Sequence, residues 1–239
     1  MDPASLLRLQ VEWGADEALD DTPRDRLAQP PVRAKPSATL APALSHGDAA
    51  SLEALHAALA AFEGCALKAT ATHLVFGAGA ATAGLVIVGE APDRESDRTG
   101  DSFAGPAGAM VEQWLASIGL SREAARLTFL VPWRPPGGRA PTEAEISACL
   151  PFLHRQIALL QPRMLLLLGT LPGKTLLGIE VARRRLGWHK ANLAGLEIPA
   201  IQVPAIERVL RDATAKQAAW AQLIRLRRAL DNNAALTPL

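Results

Sequence analysis

The chain has 239 residues, of which 49% are hydrophobic and 21% are charged, and its formal net charge is +1. This composition is typical of a soluble globular protein. The net charge neither requires nor excludes nucleic acid, because a basic patch can lie on a neutral protein. No apolar run reaches the roughly 18 residues needed to cross a bilayer. Residues 1–19 lack the basic leader and apolar core of a signal peptide, so we expect a cytoplasmic protein without a membrane segment.

The chain divides into four segments by composition. Residues 1–19 predict a short N-terminal helix, and residues 20–47 predict a proline-rich flexible linker. Residues 48–230 predict one globular domain, and residues 231–239 a tail. The helix at the end of such a tether is a candidate surface for a protein partner. The alternative is that it folds back onto the domain.

Within the domain, apolar patterning predicts strands that alternate with helices. The predicted strands are residues 85–88, 126–131, 164–168 and 194–203. The predicted helices are residues 51–62, 105–120, 142–160, 171–177 and 215–230. This alternation predicts an α/β fold, a three-layer α/β/α sandwich around a central, mainly parallel four-stranded sheet. In such sheets ligands bind beyond the carboxyl ends of the strands.

One loop at such a strand end carries residues suited to chemistry: GEAPDRESDRTGDSFAGPAG, residues 89–108. Its glycines allow backbone N–H groups to approach a ligand closely. The carboxylate of Glu90 can serve in acid–base work, and the ring of Phe103 can stack on a base. The alternative is that the loop is only a turn and that Phe103 only fills the core.

Four stretches together resemble the iron–sulfur-containing, family-4 type of uracil-DNA glycosylase. They are HLVFGAGA (73–80), LVIVGEAPDRESDRTGDSFAGPAG (85–108), RPPGGRAPTEAEISACLPFLHRQI (134–157) and LLLLGTLPGKTLLG (165–178). The resemblance covers about residues 50–228. It implies an enzyme of DNA base-excision repair that flips a deaminated base out of the stack and cleaves the N-glycosidic bond. It also implies DNA as a partner, and we expect a monomer.

The resemblance assigns roles to residues of the loop. It implies that Glu90 lies beside the reacting sugar as the catalytic carboxylate, and that Phe103 stacks on the flipped base. Gly89 and Ala91 flank Glu90 and are expected at the base.

Phosphate contacts are expected from arginines. Arg134 and Arg139 belong to the R-P-P-G-x-R loop, which lies beside the pocket in the family, and a second candidate is the run 183–185. The alternative is that these arginines are merely solvated.

The cluster ligands of the family are incomplete in this chain. Its four cysteine positions fall here on Phe62, Cys65, Trp133 and Cys149. Two thiolates remain where a cubane cluster needs four. We therefore expect no iron–sulfur cluster and no other metal or cofactor, and we expect Cys65 and Cys149 to lie close together as buried free thiols.

Three further departures concern the base pocket. Phe129 stands where the family has an Asn that hydrogen-bonds the uracil edge, so base selectivity should fall. Val203 stands where the family has a His that donates to the departing anion, and loss of such a donor costs roughly 3–4 kcal/mol. His189 is the one alternative donor. Asp93 replaces a Gly, so its negative charge should weaken DNA binding, and Gly can be needed there for a conformation that Asp adopts only at some cost.

The sequence thus supports two functions. The first is a divergent glycosylase that excises deaminated bases, with uracil specificity and rate in doubt. The alternative is a catalytically inactive glycosylase fold that acts as a DNA-binding or protein-interaction module.

Overall fold

The computed structural model describes residues 49–178, 187–193 and 195–234. The predicted N-terminal helix and linker, the arginine run 183–185 and the last residues of the predicted tail lie outside the described residues. Among those that are described, no helix combines the length and the hydropathy that a membrane span requires.

A five-stranded sheet lies at the centre of the domain, with the strand order β2-β1-β3-β5-β4. The strands are β1 (Leu85–Gly89), β2 (Ala125–Phe129), β3 (Met164–Leu168), β4 (Trp188–Leu193) and β5 (Leu196–Val203). Neighbouring strands from β2 to β5 are parallel, and β4 pairs antiparallel with β5. The sheet is therefore mainly parallel, as predicted, but it has five strands rather than four.

The strand that the sequence did not predict is β4, at one edge of the sheet. Half of its sequence, WHKANL, is polar, and only Ala191 and Leu193 are buried. An edge strand needs one buried face only, so its apolar signal is weak. By contrast, all five residues of β1, β2 and β3 are buried.

Helices cover both faces of the sheet. They are α1 (Leu52–Ala61), α2 (Arg94–Thr99), α3 (Gly105–Ser117), α4 (Glu143–Leu160), α5 (Thr170–Leu177), α6 (Ile206–Val209) and α7 (Ala213–Ala234). Helix α7 thus continues past the predicted domain end at residue 230. Thr142 and Glu145 form the predicted capping box at the start of α4.

Alternate side chains of β1 enter two different cores. Leu85 and Ile87 pack with residues of α3 and α7, whereas Val86 and Val88 pack with residues of α4. This alternation is the pleat of a strand that is buried on both faces. The result is the predicted three-layer α/β/α sandwich, with the carboxyl ends of β1, β2 and β3 at one edge.

Candidate active site

A cavity of about 380 Å³ opens at the carboxyl ends of these strands. The loop after β1 forms one wall, and the segment after β2 forms another. Eight residues were predicted to act in catalysis, base binding or DNA binding. Seven of them line this cavity: Gly89, Glu90, Ala91, Phe103, Phe129, Arg134 and Arg139. The topology of a parallel sheet brings these residues together although they are up to 50 positions apart (139 minus 89).

The carboxyl group of Glu90 is half-buried in this cavity. Burial raises the pKa of Glu90, and the nearby charge of Glu207 raises it further. A hydrogen bond from the backbone N–H of Leu171, in the first turn of α5, opposes this rise by favouring the charged form. The carboxylate is therefore both anchored and readier to hold a proton than an exposed glutamate.

Gly169, the residue before α5, fixes where Glu90 can lie. A β-carbon built on Gly169 would stand 2.3 Å from Oε1 of Glu90, and the φ angle of Gly169 is +101°. Its N–H donates to the carbonyl of Val203 at 2.9 Å, and its carbonyl accepts from Nε2 of Gln202 at 2.8 Å. Sequence reasoning missed Gly169 and Gln202, and the one signal for Gly169 was a glycine directly after an apolar strand.

The rings of Phe103 and Phe129 stack on one another at the cavity. Their centroids are 4.4 Å apart and their planes differ by 27°. Gly89 lies against both rings, since a β-carbon there would be 2.7 Å from Phe103 and 2.8 Å from Phe129. Such a pair is worth about 0.5–1.5 kcal/mol beyond the apolar area that it buries. The aromatic that replaces the family's Asn is therefore integrated into the pocket.

Asp93 does not adopt a conformation that needs glycine. Its φ and ψ angles are −80° and −174°, an extended conformation open to any residue. Its side chain accepts a hydrogen bond from the N–H of Ser96 at 2.7 Å and caps α2. Sequence reasoning missed this helix because six polar residues carry no apolar periodicity.

Val203 does not reach the cavity. It is 1% exposed in the core beneath α7, and the residues that continue to the cavity wall are Ala205, Ile206 and Glu207. His189 lies on β4, paired with Ala200, and does not line the cavity either. No histidine side chain lines this cavity within the described part of the chain.

The two predicted DNA-contacting arginines are in different states. Arg134 is half-buried, and its Nε is buried without a hydrogen-bond partner among the described residues. Arg139 is exposed and engages Glu145 through two bonds, Nη2–Oε1 at 2.5 Å and Nη1–Oε2 at 2.8 Å. These bonds lower the pKa of Glu145 to about 2. The guanidinium of Arg134 is thus the freer of the two to receive an anion.

Comparison with known proteins matches residues 76–224 to the family model of the uracil DNA glycosylase superfamily. The chain belongs to this superfamily. It is 35% identical over 153 residues to the type-4 uracil-DNA glycosylase of Pyrobaculum aerophilum, which is 64% of this chain and 78% of that enzyme.

Two further type-4 uracil-DNA glycosylases match shorter stretches of this superfamily member. The enzyme of Archaeoglobus fulgidus is 42% identical over 105 residues, or 44% of this chain and 53% of that enzyme. The enzyme of Sulfurisphaera tokodaii is 38% identical over 120 residues, or 50% of this chain and 54% of that enzyme. The matched region thus covers about half the length of each of these two relatives. Within the superfamily, the chain is related to the type-4 enzymes.

The cysteine pair of this glycosylase homologue occupies an apolar core. Cys65 and Cys149 are buried and share a hydrogen bond, which confirms that they lie close together as free thiols. That bond lowers the pKa of Cys65 to about 7, and together with burial it raises the pKa of Cys149.

The other two cluster positions are filled by rings. Trp133 is 3% exposed in the core of the cysteine pair, and Phe62 lies 5.0 Å from Phe152 between ring centroids. Among the described residues, no three Cys, His, Asp or Glu side chains converge on one point that could hold a metal. The residues present do not fit a cluster held by four thiolates.

Proposed function

We propose that this protein acts on DNA and removes deaminated bases by cleaving the N-glycosidic bond. Membership of the uracil DNA glycosylase superfamily supports this proposal, as do the names of its type-4 relatives. The observation that carries it is the carboxyl group of Glu90, which lies against Gly169 and is half-buried in the cavity at the strand ends.

The chemistry proposed for Glu90 is general base catalysis. The carboxylate accepts a proton from a water molecule as the water oxygen forms a bond to C1′ of the sugar. The C1′–N bond breaks, and its electron pair leaves with the base as an anion. A raised pKa suits this role, because a general base works best when its pKa lies near the operating pH.

The proposed enzyme is slow and weakly selective for uracil. Phe129 offers no donor or acceptor to the edge of a base, and no histidine among the described residues lines the cavity to donate to the departing anion. One missing donor of this kind reduces turnover by roughly 10²–10³. We therefore propose deaminated bases as the substrate class.

The test is an excision assay with the purified full chain. Single- and double-stranded oligonucleotides containing uracil, hypoxanthine or xanthine are incubated with protein, and abasic sites are then cleaved with alkali. We expect slow excision of at least one base, reduced about 10²–10⁴-fold in Glu90→Gln. Glu197→Gln, an exposed glutamate that pairs with Lys190 away from the cavity, is the matched control. Equal activity of the wild type and Glu90→Gln would contradict the proposal.

A second candidate function is DNA binding without catalysis. The stack of Phe103 on Phe129 favours it, because the ring expected to receive a base is already covered. The same oligonucleotides decide between the two functions: salt-sensitive binding without any abasic sites would support this second candidate.

We also propose that the protein carries no iron–sulfur cluster. The rings of Phe62 and Trp133 and the hydrogen bond between the two thiols support this. Protein purified without oxygen should contain no stoichiometric iron and show no charge-transfer band in the blue part of the spectrum. The presence of both signals would overturn the proposal.

A further inference from the structure

Phe103 exposes little of its ring to a flipped base. Its side chain is 5% exposed, and one face of its ring is covered by Phe129 at a centroid distance of 4.4 Å. Phe129 is itself 6% exposed. A base that stacks on an aromatic ring needs one free face at van der Waals distance, and here the ring of Phe129 already lies at that distance.

The sheet sets the position of this stack. Phe129 is the last residue of β2 and is paired in register with Gly89, the last residue of β1. Gly89 has no side chain, so both rings lie over its α-carbon, where a β-carbon would be within 2.9 Å of either. The backbone of Phe129 therefore cannot withdraw without disrupting the pairing of β1 with β2.

The backbone of Phe103 is fixed as well. Its carbonyl accepts hydrogen bonds from Nη1 and Nη2 of Arg122, each at 3.4 Å. The same carbonyl also abuts Gly108 of α3, where a β-carbon would lie 2.0 Å from it. The side chain of Phe129 can leave the stack by rotation about its own torsions, since the cavity of about 380 Å³ lies beside it.

We infer that the ring of Phe129 is an internal plug, which occupies the position of a base stacked on Phe103 and must swing into the cavity before a base can bind. This inference rests on the proposed function, since it supposes that the cavity receives a base. Phe129 then determines specificity in two ways. Its ring fills the space of the stacked base, and it lacks the amide of the Asn that the family has at this position. An incoming base must replace an aromatic contact that the protein already makes.

Binding of free uracil tests the plug without requiring catalysis. Uracil is titrated into the full chain and followed by NMR, for the wild type, Phe129→Ala and Phe129→Leu. We expect Phe129→Ala to bind uracil about 5- to 150-fold more tightly than the wild type, the range that corresponds to one base–aromatic stack. Phe152→Ala, which truncates a ring of 4% exposure in the core of the cysteine pair, is the matched control and should bind like the wild type.

Phe129→Leu decides the question if Phe129→Ala does not fold, because leucine retains enough apolar volume to support the core but vacates the part of the ring that stacks on Phe103. It too should bind uracil more tightly than the wild type. Equal affinities of the wild type and the folded Phe129 variants would overturn the plug.

The excision assay, run on the same proteins, separates this inference from the proposed function. Tighter uracil binding by the Phe129 variants, without excision by any protein, would support the plug and contradict the proposed function. Excision by the wild type, with uracil affinity unchanged in the variants, would contradict the plug and support the proposed function.

Discussion

The carboxyl group of Glu90 rests against the α-carbon of Gly169, so closely that a β-carbon there would stand 2.3 Å from Oε1. Gly169 itself is bound on both sides, to Val203 through its N–H and to Gln202 through its carbonyl. The proposed catalytic carboxylate is therefore positioned by the turn between β3 and α5. Space and a φ angle of +101° both require glycine at this turn.

Gly169→Ala should displace Glu90 and reduce excision about 10²-fold, because a misplacement of about 1 Å can cost that much. Gly178, at the other end of α5, is the matched control. Its φ angle is +66°, but a β-carbon there would contact no described residue within 4 Å. Gly178→Ala should lower the free energy of unfolding by about 1–2 kcal/mol and leave single-turnover excision unchanged. Equal losses of excision in the two variants would argue against positioning by Gly169.

Glu90→Gln should stabilise the protein at neutral pH. Burial raises the pKa of Glu90, so its contribution to stability is fully present below the unfolded value of 4.5 and is lost as the pH rises through the folded pKa. Glutamine removes this loss, and its oxygen can still accept from the N–H of Leu171. The melting temperature of Glu90→Gln should exceed that of the wild type at about pH 8 and equal it at about pH 4. A difference that persists at the lower pH would show another cause.

The pH dependence of excision gives a second readout of the same carboxyl group. If Glu90 is the general base, kcat/KM should fall on the acid limb of its pH profile. The apparent pKa of that limb should lie above 4.5, the ordinary pKa of a glutamate. Glu207→Gln removes a negative charge that raises the pKa of Glu90, so it should move this limb to lower pH. Glu197→Gln should leave the limb in place.

Arg134→Ala should weaken DNA binding more than Arg139→Ala does. Arg134 lines the cavity with a buried Nε that no described residue hydrogen-bonds, whereas Arg139 is already engaged by Glu145. Loss of one phosphate contact lowers the slope of log K against log salt by about 0.9 on duplex DNA. Fluorescence anisotropy at several salt concentrations measures this slope. Arg163 lies beside Gly84 at the amino ends of β1 and β3, away from the cavity, and is the control. Its substitution by alanine should leave the slope unchanged.

Asp93→Ala should remove the N-cap of α2 and lower the free energy of unfolding by about 1 kcal/mol. Asp93→Asn keeps a capping oxygen and removes one negative charge from the cavity wall. We expect this second variant to be as stable as the wild type and to bind DNA more tightly at low salt. Thermal unfolding and anisotropy separate the two effects, and weaker DNA binding by Asp93→Asn would contradict the charge argument.

Residues whose placement depends on local pattern were predictable. The apolar runs of β1 and β3 predicted strands because a parallel strand buries both of its faces, and Thr142 with Glu145 predicted the start of α4. The resemblance to family-4 glycosylases implied that Glu90 and the loop of Arg134 lie at one pocket, and the structure has both residues in one cavity at the carboxyl ends of parallel strands. These features need only short-range spacing and the general rules of the fold class.

Contacts between distant parts of the chain were decided by tertiary structure alone. Apolar patterning did not identify β4, because its polar residues leave only one face to bury. No local signal shows that Phe129 covers Phe103, or that Glu90 rests on Gly169, since these partners are 26 positions (129 minus 103) and 79 positions (169 minus 90) apart. The sequence determined which groups stand at the strand ends, whereas packing determined which of them touch, because side-chain contacts depend on the register and spacing of strands that only the folded sheet establishes.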